Sequence, residues 1–384
     1  MRICLLGASG SIGQQTIDVV KKHSDDFDIV GISIGHRTRK IPAILGCFPN
    51  ISAICVQDKK AAKRLAKRYT KVKFFSQDEG LLELIDACPC DMVVNALVGF
   101  VGLRPTIHAL EKNKIVALAN KESLVVGGEL VNDLLNKGQG KLYPIDSEHV
   151  ALMKCLSVDD TNVEKLILTA SGGAFRKLNR DQLNDVKAAD ALRHPTWKMG
   201  AKITIDCATM VNKAFEVIEA HYLYNYPSNK IDILLHDESM IHSLVLYKNG
   251  LYRLDWGKPD MRIPIVYAMY EGRYPFKTYV VEDYHVYKDY HFHEFKMERY
   301  PMVKYAKKVI DNKGTYGAVF NAVNEIAVYA FLKDEIAFLD IETIISHFMD
   351  THKNKKHPSL QDIVEVDRKY RLLARQYIET ELRK

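Results

Sequence analysis

Six short runs of β-branched and other apolar residues, each followed by a helix-length stretch, fill the first part of the chain to about residue 145. This alternation restricts the fold more than any other feature. The runs cover residues 3–6, 29–34, 53–56, 72–75, 92–96 and 115–118. Continuous apolar runs of this length read as strands buried on both faces, while the stretch 11–22 puts Ile12, Thr16, Val19 and Val20 on one side at helical spacing. Residues 58–69 and 103–112 show the same division into a charged outer and an apolar inner face. Such alternation argues for a parallel sheet covered by helices on both faces.

Beyond about residue 145 the rhythm changes. Strand-like runs at 165–169 and 231–236 come with long polar loops, Gly-rich turns and most of the acidic and histidine residues that have a chemical use. Residues 271–296 are rich in Tyr and His and have no strong period, and helix-favouring runs follow at 302–312, 318–332, 341–349 and 362–383. With 47% apolar residues in 384, the chain can bury more than one core. No apolar run approaches the roughly 20 residues of a membrane-spanning helix, and the first residues run straight into a strand, so the expected location is the cytoplasm and no membrane partner is expected. Seven cysteines at irregular positions, without paired CxxC groups, fit neither a disulfide scaffold nor structural zinc. The net charge of +6 is mild and its basic residues are dispersed, which suits a small anionic substrate; no nucleic-acid partner is expected.

Gly7-Ala8-Ser9-Gly10-Ser11-Ile12-Gly13 follows the first strand and opens the first helix. That is the context of a phosphate-binding turn, in which backbone N–H groups approach a pyrophosphate at the positive end of a helix. The plain alternative is a strand-to-helix turn. At the end of the second strand an NAD site usually carries a carboxylate for the ribose hydroxyls. Here the chain reads Gly35-His36-Arg37-Thr38-Arg39-Lys40, so Arg37, helped by His36 or Arg39, suits a 2′-phosphate and favours NADPH, with a solvated basic loop as the alternative. Asp146-Ser147-Glu148-His149 follows a short strand; two acids one residue apart lie on the same side of an extended segment, and Asn212-Lys213-Ala214-Phe215-Glu216 offers a third. Three carboxylates suit Mg²⁺ or Mn²⁺, the alternative being a capping Asp and a surface Glu. The expected organisation is therefore α/β: a Rossmann-like NADPH-binding domain over 1–146, a central α+β catalytic domain binding metal and substrate over 147–270, a linker over 271–297 and a helical C-terminal domain over 298–384.

Ordered blocks run along nearly the whole chain: Gly7–Gly13, Ala119-Asn120-Lys121-Glu122-Ser123-Leu124, Pro144-Ile145-Asp146-Ser147-Glu148-His149, Ala170-Ser171-Gly172-Gly173, His194-Pro195-Thr196-Trp197-Lys198-Met199-Gly200, Ile205-Asp206-Cys207-Ala208-Thr209-Met210, Ile241-His242-Ser243, Gly257-Lys258-Pro259-Asp260-Met261-Arg262 and Asn321-Ala322-Val323-Asn324-Glu325. In their order and spacing they resemble the 1-deoxy-D-xylulose 5-phosphate reductoisomerase family. The resemblance implies an NADPH-dependent enzyme of the non-mevalonate isoprenoid pathway, a homodimer, that rearranges and then reduces a sugar phosphate. It implies a metal site at Asp146, Glu148 and Glu216, a phosphate pocket at Ser171, His194, Asn212 and Lys213, and hydroxyl contacts from Ser147, Lys121, Asn212 and Lys213. Cofactor contacts fall on Gly7, Ala8, Ser9, Gly10, Ser11, Ile12, Gly35, His36, Arg37, Asn120, Glu122, Gly200 and Met261, and a closing lid falls on 194–199 with Trp197. Lys121, Asp146, Glu148 and Glu216 are the implied catalytic residues. Cys207 and Ala214 depart from the family's usual Ser and Gly, and a thiol is a weaker hydrogen-bond donor than a hydroxyl. His149 and His242 read as hydrogen-bonded interior histidines. Two competing readings are a metal-independent Rossmann oxidoreductase and a dinucleotide sensor without turnover.

Overall fold

The computed structural model describes residues 1–157, 161–192, 199–273 and 289–382. Its contacts divide the chain into two compact units. The first holds Met1–Ser123, Val131–Asp146 and the segment that begins at Asp260. Seven strands form its sheet: β1 (Arg2–Leu6), β2 (Asp28–Ile34), β3 (Ala53–Val56), β4 (Lys73–Ser76), β5 (Met92–Asn95), β6 (Ile115–Leu118) and β7 (Lys141–Pro144). Every pairing is parallel, in the order β4-β3-β2-β1-β5-β6-β7. The chain builds outward from β1 to β4, then returns to β5 on the other side of β1. Their carboxyl ends therefore flank a topological switch point, the place where such sheets bind ligands.

The apolar runs form strands because both faces are covered: Ile3, Leu5, Ile29, Ile32, Ile54 and Val94 are buried in one core with Val19 and Val20 of helix Ser11–Lys22. Helix Lys59–Arg68 starts at Asp58, whose carboxylate accepts the Ala61 N–H. Helix Arg262–Met269 packs Ile265, Val266, Ala268 and Met269 into the same core. That apolar face draws it into the first unit, away from the 147–270 stretch in which the sequence boundaries group it.

The second unit holds Leu124–Leu130, Ser147–Pro259 and the C-terminal part of the chain. Its mixed sheet joins β8 (Val163–Ala170), β9 (Ile231–His236), β10 (Ile241–Tyr247), β11 (Tyr252–Trp256) and β12 (Phe292–Glu294) in the order β11-β10-β8-β9-β12. Only β8 and β9 run parallel. Within the expected linker, 292–294 is an edge strand, and residues 274–288 lie outside the described residues. Helices Lys304–Asn312, Tyr316–Phe331, Phe338–Thr351 and Leu360–Tyr377 supply the expected C-terminal helical region.

Candidate active site

The glycine turn is built for close approach. Gly7 has φ +85°, the left-handed region, and a Cβ there would meet Ala96 O at 2.5 Å. A Cβ on Gly13 would meet Gly7 O at 2.2 Å, so the first helical turn rests directly on the loop. Ser33 fixes the loop from below: its Oγ accepts the Gly7 N–H at 2.8 Å and its carbonyl the Ala8 N–H at 2.9 Å. Gly10 is the N-cap of helix Ser11–Lys22 and has no side chain to cap the first N–H groups, an arrangement that suits an anion. Gly35, His36 and Arg37 are exposed after β2. Arg37 Nη1 donates to Ser9 O at 3.4 Å, and Lys40 Nζ donates to the same oxygen at 3.3 Å. Lys40 carries no assignment from sequence; the short 3₁₀ helix Thr38–Lys40 turns it back beside Arg37.

Asn120 is fully buried and its side chain is committed within the protein. Nδ2 donates to Leu97 O, Gly99 O and Glu122 Oε2, while Oδ1 accepts from Ser123. The pair Asn120 and Glu122 thereby clamps the loop after β5. Met261 sits between Asp260 and Arg262, which bind each other through Nε at 2.8 Å and through Nη2. Burial pushes the Asp260 carboxyl up, and the Arg262 contacts outweigh it, leaving the group below its ordinary value. Gly200, in the second unit, is the exposed N-cap of helix Ala201–Ala208.

Adjacent strands β6 and β7 end in register, Leu118 beside Pro144, so the residues just past them meet: Lys121 Nζ lies 2.6 Å from Asp146 Oδ2. Asp146 is where the chain leaves the first unit. The next residue starts helix Ser147–Leu156, which corrects the extended geometry expected for Asp146 and Glu148. Glu148 instead occupies the first helical turn, where the helix dipole favours an acid, and the run from Val150 to Leu156 has a helix-forming composition. Ser147 Oγ donates to Glu148 Oε2 at 2.7 Å.

The third acid comes from helix Val211–Tyr224, entered through Met210 at φ +61°, a left-handed conformation that costs a non-glycine residue free energy. Helical spacing puts Asn212, Lys213 and Glu216 on one face. Asn212 Nδ2 and Lys213 Nζ both contact the Glu216 carboxylate. Lys213 also lies 3.3 Å from Glu148 Oε1 and donates to Thr169 O at the end of β8. Glu216 and Lys213 are buried. Asp146, Glu148 and Glu216 each present a carboxylate oxygen, and the three atoms lie within 4.8 Å of one another, the one such group among the described residues. Three carboxylates are the hard oxygen donors that a divalent cation such as Mg²⁺ prefers, so the donor chemistry fits such an ion.

Ser171 follows β8 and leads into Gly172 and Gly173, at φ +81° and +73°; a Cβ on Gly173 would meet Cys207 O at 2.6 Å. The turn therefore abuts the end of helix Ala201–Ala208, with Cys207 half-buried and Ala214 fully buried. His194 and Trp197 lie outside the described residues. His242 is buried, and burial lowers its pKa.

Family models match most of the chain: 1-deoxy-D-xylulose 5-phosphate reductoisomerase over residues 3–128, its C-terminal domain over 142–224, and a second model described as DXP reductoisomerase C-terminal domain over 256–373. The 1-deoxy-D-xylulose 5-phosphate reductoisomerase of Geobacillus sp. (strain WCH70) is 45% identical over 377 residues, spanning 97% of this chain and 98% of that protein. The chain belongs to the 1-deoxy-D-xylulose 5-phosphate reductoisomerase family. The reductoisomerase of Macrococcus caseolyticus (strain JCSC5402) is 42% identical, covering 96% of this chain and 98% of its own. A crystal structure of DOX-P reductoisomerase in complex with NADPH, fosmidomycin and magnesium superposes with a TM-score of 0.91 at 32% identity, over 99% of this chain and 98% of the other. The reductoisomerase from Zymomonas mobilis in complex with NADPH superposes with a TM-score of 0.90 at 33% identity, covering 99% of each chain.

Proposed function

We infer that this chain is an NADPH- and divalent-metal-dependent reductoisomerase: it converts 1-deoxy-D-xylulose 5-phosphate to 2-C-methyl-D-erythritol 4-phosphate in non-mevalonate isoprenoid precursor biosynthesis. The observation that carries this reading is the meeting of Asp146, Glu148 and Glu216, from distant stretches of chain, in a protein with an open dinucleotide turn. The substrate first rearranges its carbon skeleton to an aldehyde, which then accepts a hydride. Both steps develop charge on oxygen. Mg²⁺ or Mn²⁺ held by the three acids supplies Lewis acidity toward a carbonyl and its neighbouring hydroxyl.

The chain's own side chains do the rest. Lys121 and Lys213, each against a carboxylate of the trio, hold mobile protons and positive charge beside the reacting oxygens. Ser147 and Asn212 donate to substrate hydroxyls, and Ser171, His194, Asn212 and Lys213 bind the phosphate. On the cofactor, residues Gly7–Ile12 offer backbone donors to the pyrophosphate; Gly35, His36 and Arg37 take the adenosine end; Asn120, Glu122, Gly200 and Met261 complete the contacts. Positioning the nicotinamide against the aldehyde is then sufficient for hydride delivery.

Lys40 joins Arg37 in this reading, because both ammonium and guanidinium converge on Ser9 O at the mouth of the turn. Hydrogen bonds to charged groups contribute about 1.5–3 kcal/mol each. Arg37→Ala and Lys40→Ala are therefore each expected to raise the Kd for NADPH about tenfold or more and to leave that for NADH unchanged. Equal losses for the two nucleotides, measured by fluorescence titration, would place these cations away from the 2′-phosphate.

We also propose a cytoplasmic homodimer. Edge strand β11 turns Tyr252, Leu254 and Trp256 outward at 53%, 46% and 39% exposure, an apolar stripe of the kind a second copy covers. Sedimentation at the mass of a single chain would remove that part of the proposal. The reaction itself is tested by the product: NADPH, Mg²⁺ and 1-deoxy-D-xylulose 5-phosphate are expected to yield the branched polyol phosphate by NMR. An unbranched reduced sugar would show a simple dehydrogenase.

A further inference from the structure

Two helices carry the acidic and basic side chains of the second unit's part of the site. Helix Ser147–Leu156 bears Glu148, and helix Val211–Tyr224 bears Asn212, Lys213 and Glu216. The contacts between them fall into two classes. Lys213 reaches Glu148 at 3.3 Å, but both groups belong to the charged cluster itself. A divalent ion drawing on Glu148 and Glu216 competes with Lys213 for the same carboxylates, so this contact cannot hold the helices at a fixed distance through the reaction.

The second contact lies one residue further along. His149 Nε2 is 2.9 Å from Glu219 Oε2, and the two side chains are 0% and 1% exposed. Glu219 follows Glu216 by three positions, so its carboxylate lies on the same side of the helix one turn deeper. The backbone that joins Glu148 to His149 is held at two further points, one from β10 and one from Tyr224 at the end of the helix that bears Glu219. Ser243 Oγ, from β10, donates to Glu148 O at 2.9 Å, and Tyr224 Oη donates to His149 O at 2.5 Å. The Tyr224 ring packs obliquely on the imidazole with centroids 6.3 Å apart. A polar pair this deeply buried is costly to leave unmatched, so once formed it fixes the helix spacing.

We propose that the His149–Glu219 pair is the positioning device of the metal site: it touches neither ion nor substrate, and it sets the distance between Glu148 and Glu216. The inference rests on the assignment of those acids to the divalent cation. Partners that orient metal ligands without binding the metal change metal affinity by about 10–100-fold when removed.

The test is Mn²⁺ binding to the full chain, followed through the EPR signal of the free ion, in the wild type, His149→Ala, Glu219→Leu and the double variant. Each single variant is expected to weaken Mn²⁺ binding at least about tenfold, with the Kd for NADPH unchanged and kcat at saturating Mn²⁺ within a few-fold of wild type. The double variant is expected to be no worse than the weaker single one, because either change removes the same contact. If His149→Ala does not fold, Glu219→Leu, which keeps the side chain's approximate size and offers the imidazole no acceptor, carries the test alone. Wild-type Mn²⁺ affinity in a folded variant overturns the proposal, as does a large fall in kcat at saturating Mn²⁺ with binding intact. A wild-type chain that binds no Mn²⁺ removes the metal assignment itself, a result distinct from either.

Discussion

Glu216→Gln is expected to lower metal-supported turnover about 100- to 1000-fold, the scale on which a preorganised electrostatic group acts. The side chain is 1% exposed and is held from both flanks by Asn212 and Lys213; the amide fills the same volume, and its oxygen still accepts from Asn212 while its NH₂ group gives up the Lys213 contact. It cannot serve as an anionic ligand. Lys213 keeps Glu148 as a partner, and no buried cation is orphaned. The fold and the glycine turn, which lies in the first unit, are therefore retained, and NADPH binds with wild-type Kd in a fluorescence titration. Mn²⁺ binding and NADPH consumption fall together. Full turnover in this variant, or joint loss of NADPH and Mn²⁺ binding, would show that Glu216 is not the ligand described.

Gly13→Ala is expected to act on the other half of the site. Its Cβ would lie 2.2 Å from Gly7 O and 2.7 Å from Ala8 Cα, both backbone atoms. The loop cannot retreat, because Gly7 faces Ala96 O on its far side and Ser33 binds the N–H groups of Gly7 and Ala8. Either the helix start shifts, or the loop opens and loses the alignment of its donors. Overpacking of this kind costs about 1–3 kcal/mol, so the Kd for NADPH rises by up to about 100-fold and Tm falls by several degrees. Mn²⁺ binding at the acids, measured in the same protein, stays near wild type. An unchanged NADPH affinity would show that the contact of helix and loop does not shape the cofactor site.

Much of this was legible in the sequence because it rests on local chemistry. The strands of the first sheet announce themselves as apolar runs that a two-faced cover requires, and the glycines at 7, 10 and 13 mark the turn. The acids of the trio were legible as residue types but not as geometry. Asp146 and Glu148 read as neighbours on an extended segment, whereas the chain turns helical at Ser147 and brings Glu148 to a helix start. Contacts set by tertiary packing left no local trace. Nothing in the order of residues says that Lys213 faces Glu148 across 65 positions, or that His149 meets Glu219. Lys40 was hidden for a smaller reason, since one turn of 3₁₀ helix brings it back to Ser9. Strand β12 was hidden because an edge strand of three exposed residues carries no hydrophobic alternation.

Turnover of the sugar phosphate is expected to depend on a divalent cation at Asp146, Glu148 and Glu216. The most direct measurement is NADPH oxidation with 1-deoxy-D-xylulose 5-phosphate in protein stripped by a chelator, before and after addition of Mg²⁺ or Mn²⁺. The stripped protein is expected to oxidise no NADPH and to recover fully on addition of either ion. Substrate-dependent oxidation at the same rate with and without the ion would contradict that dependence.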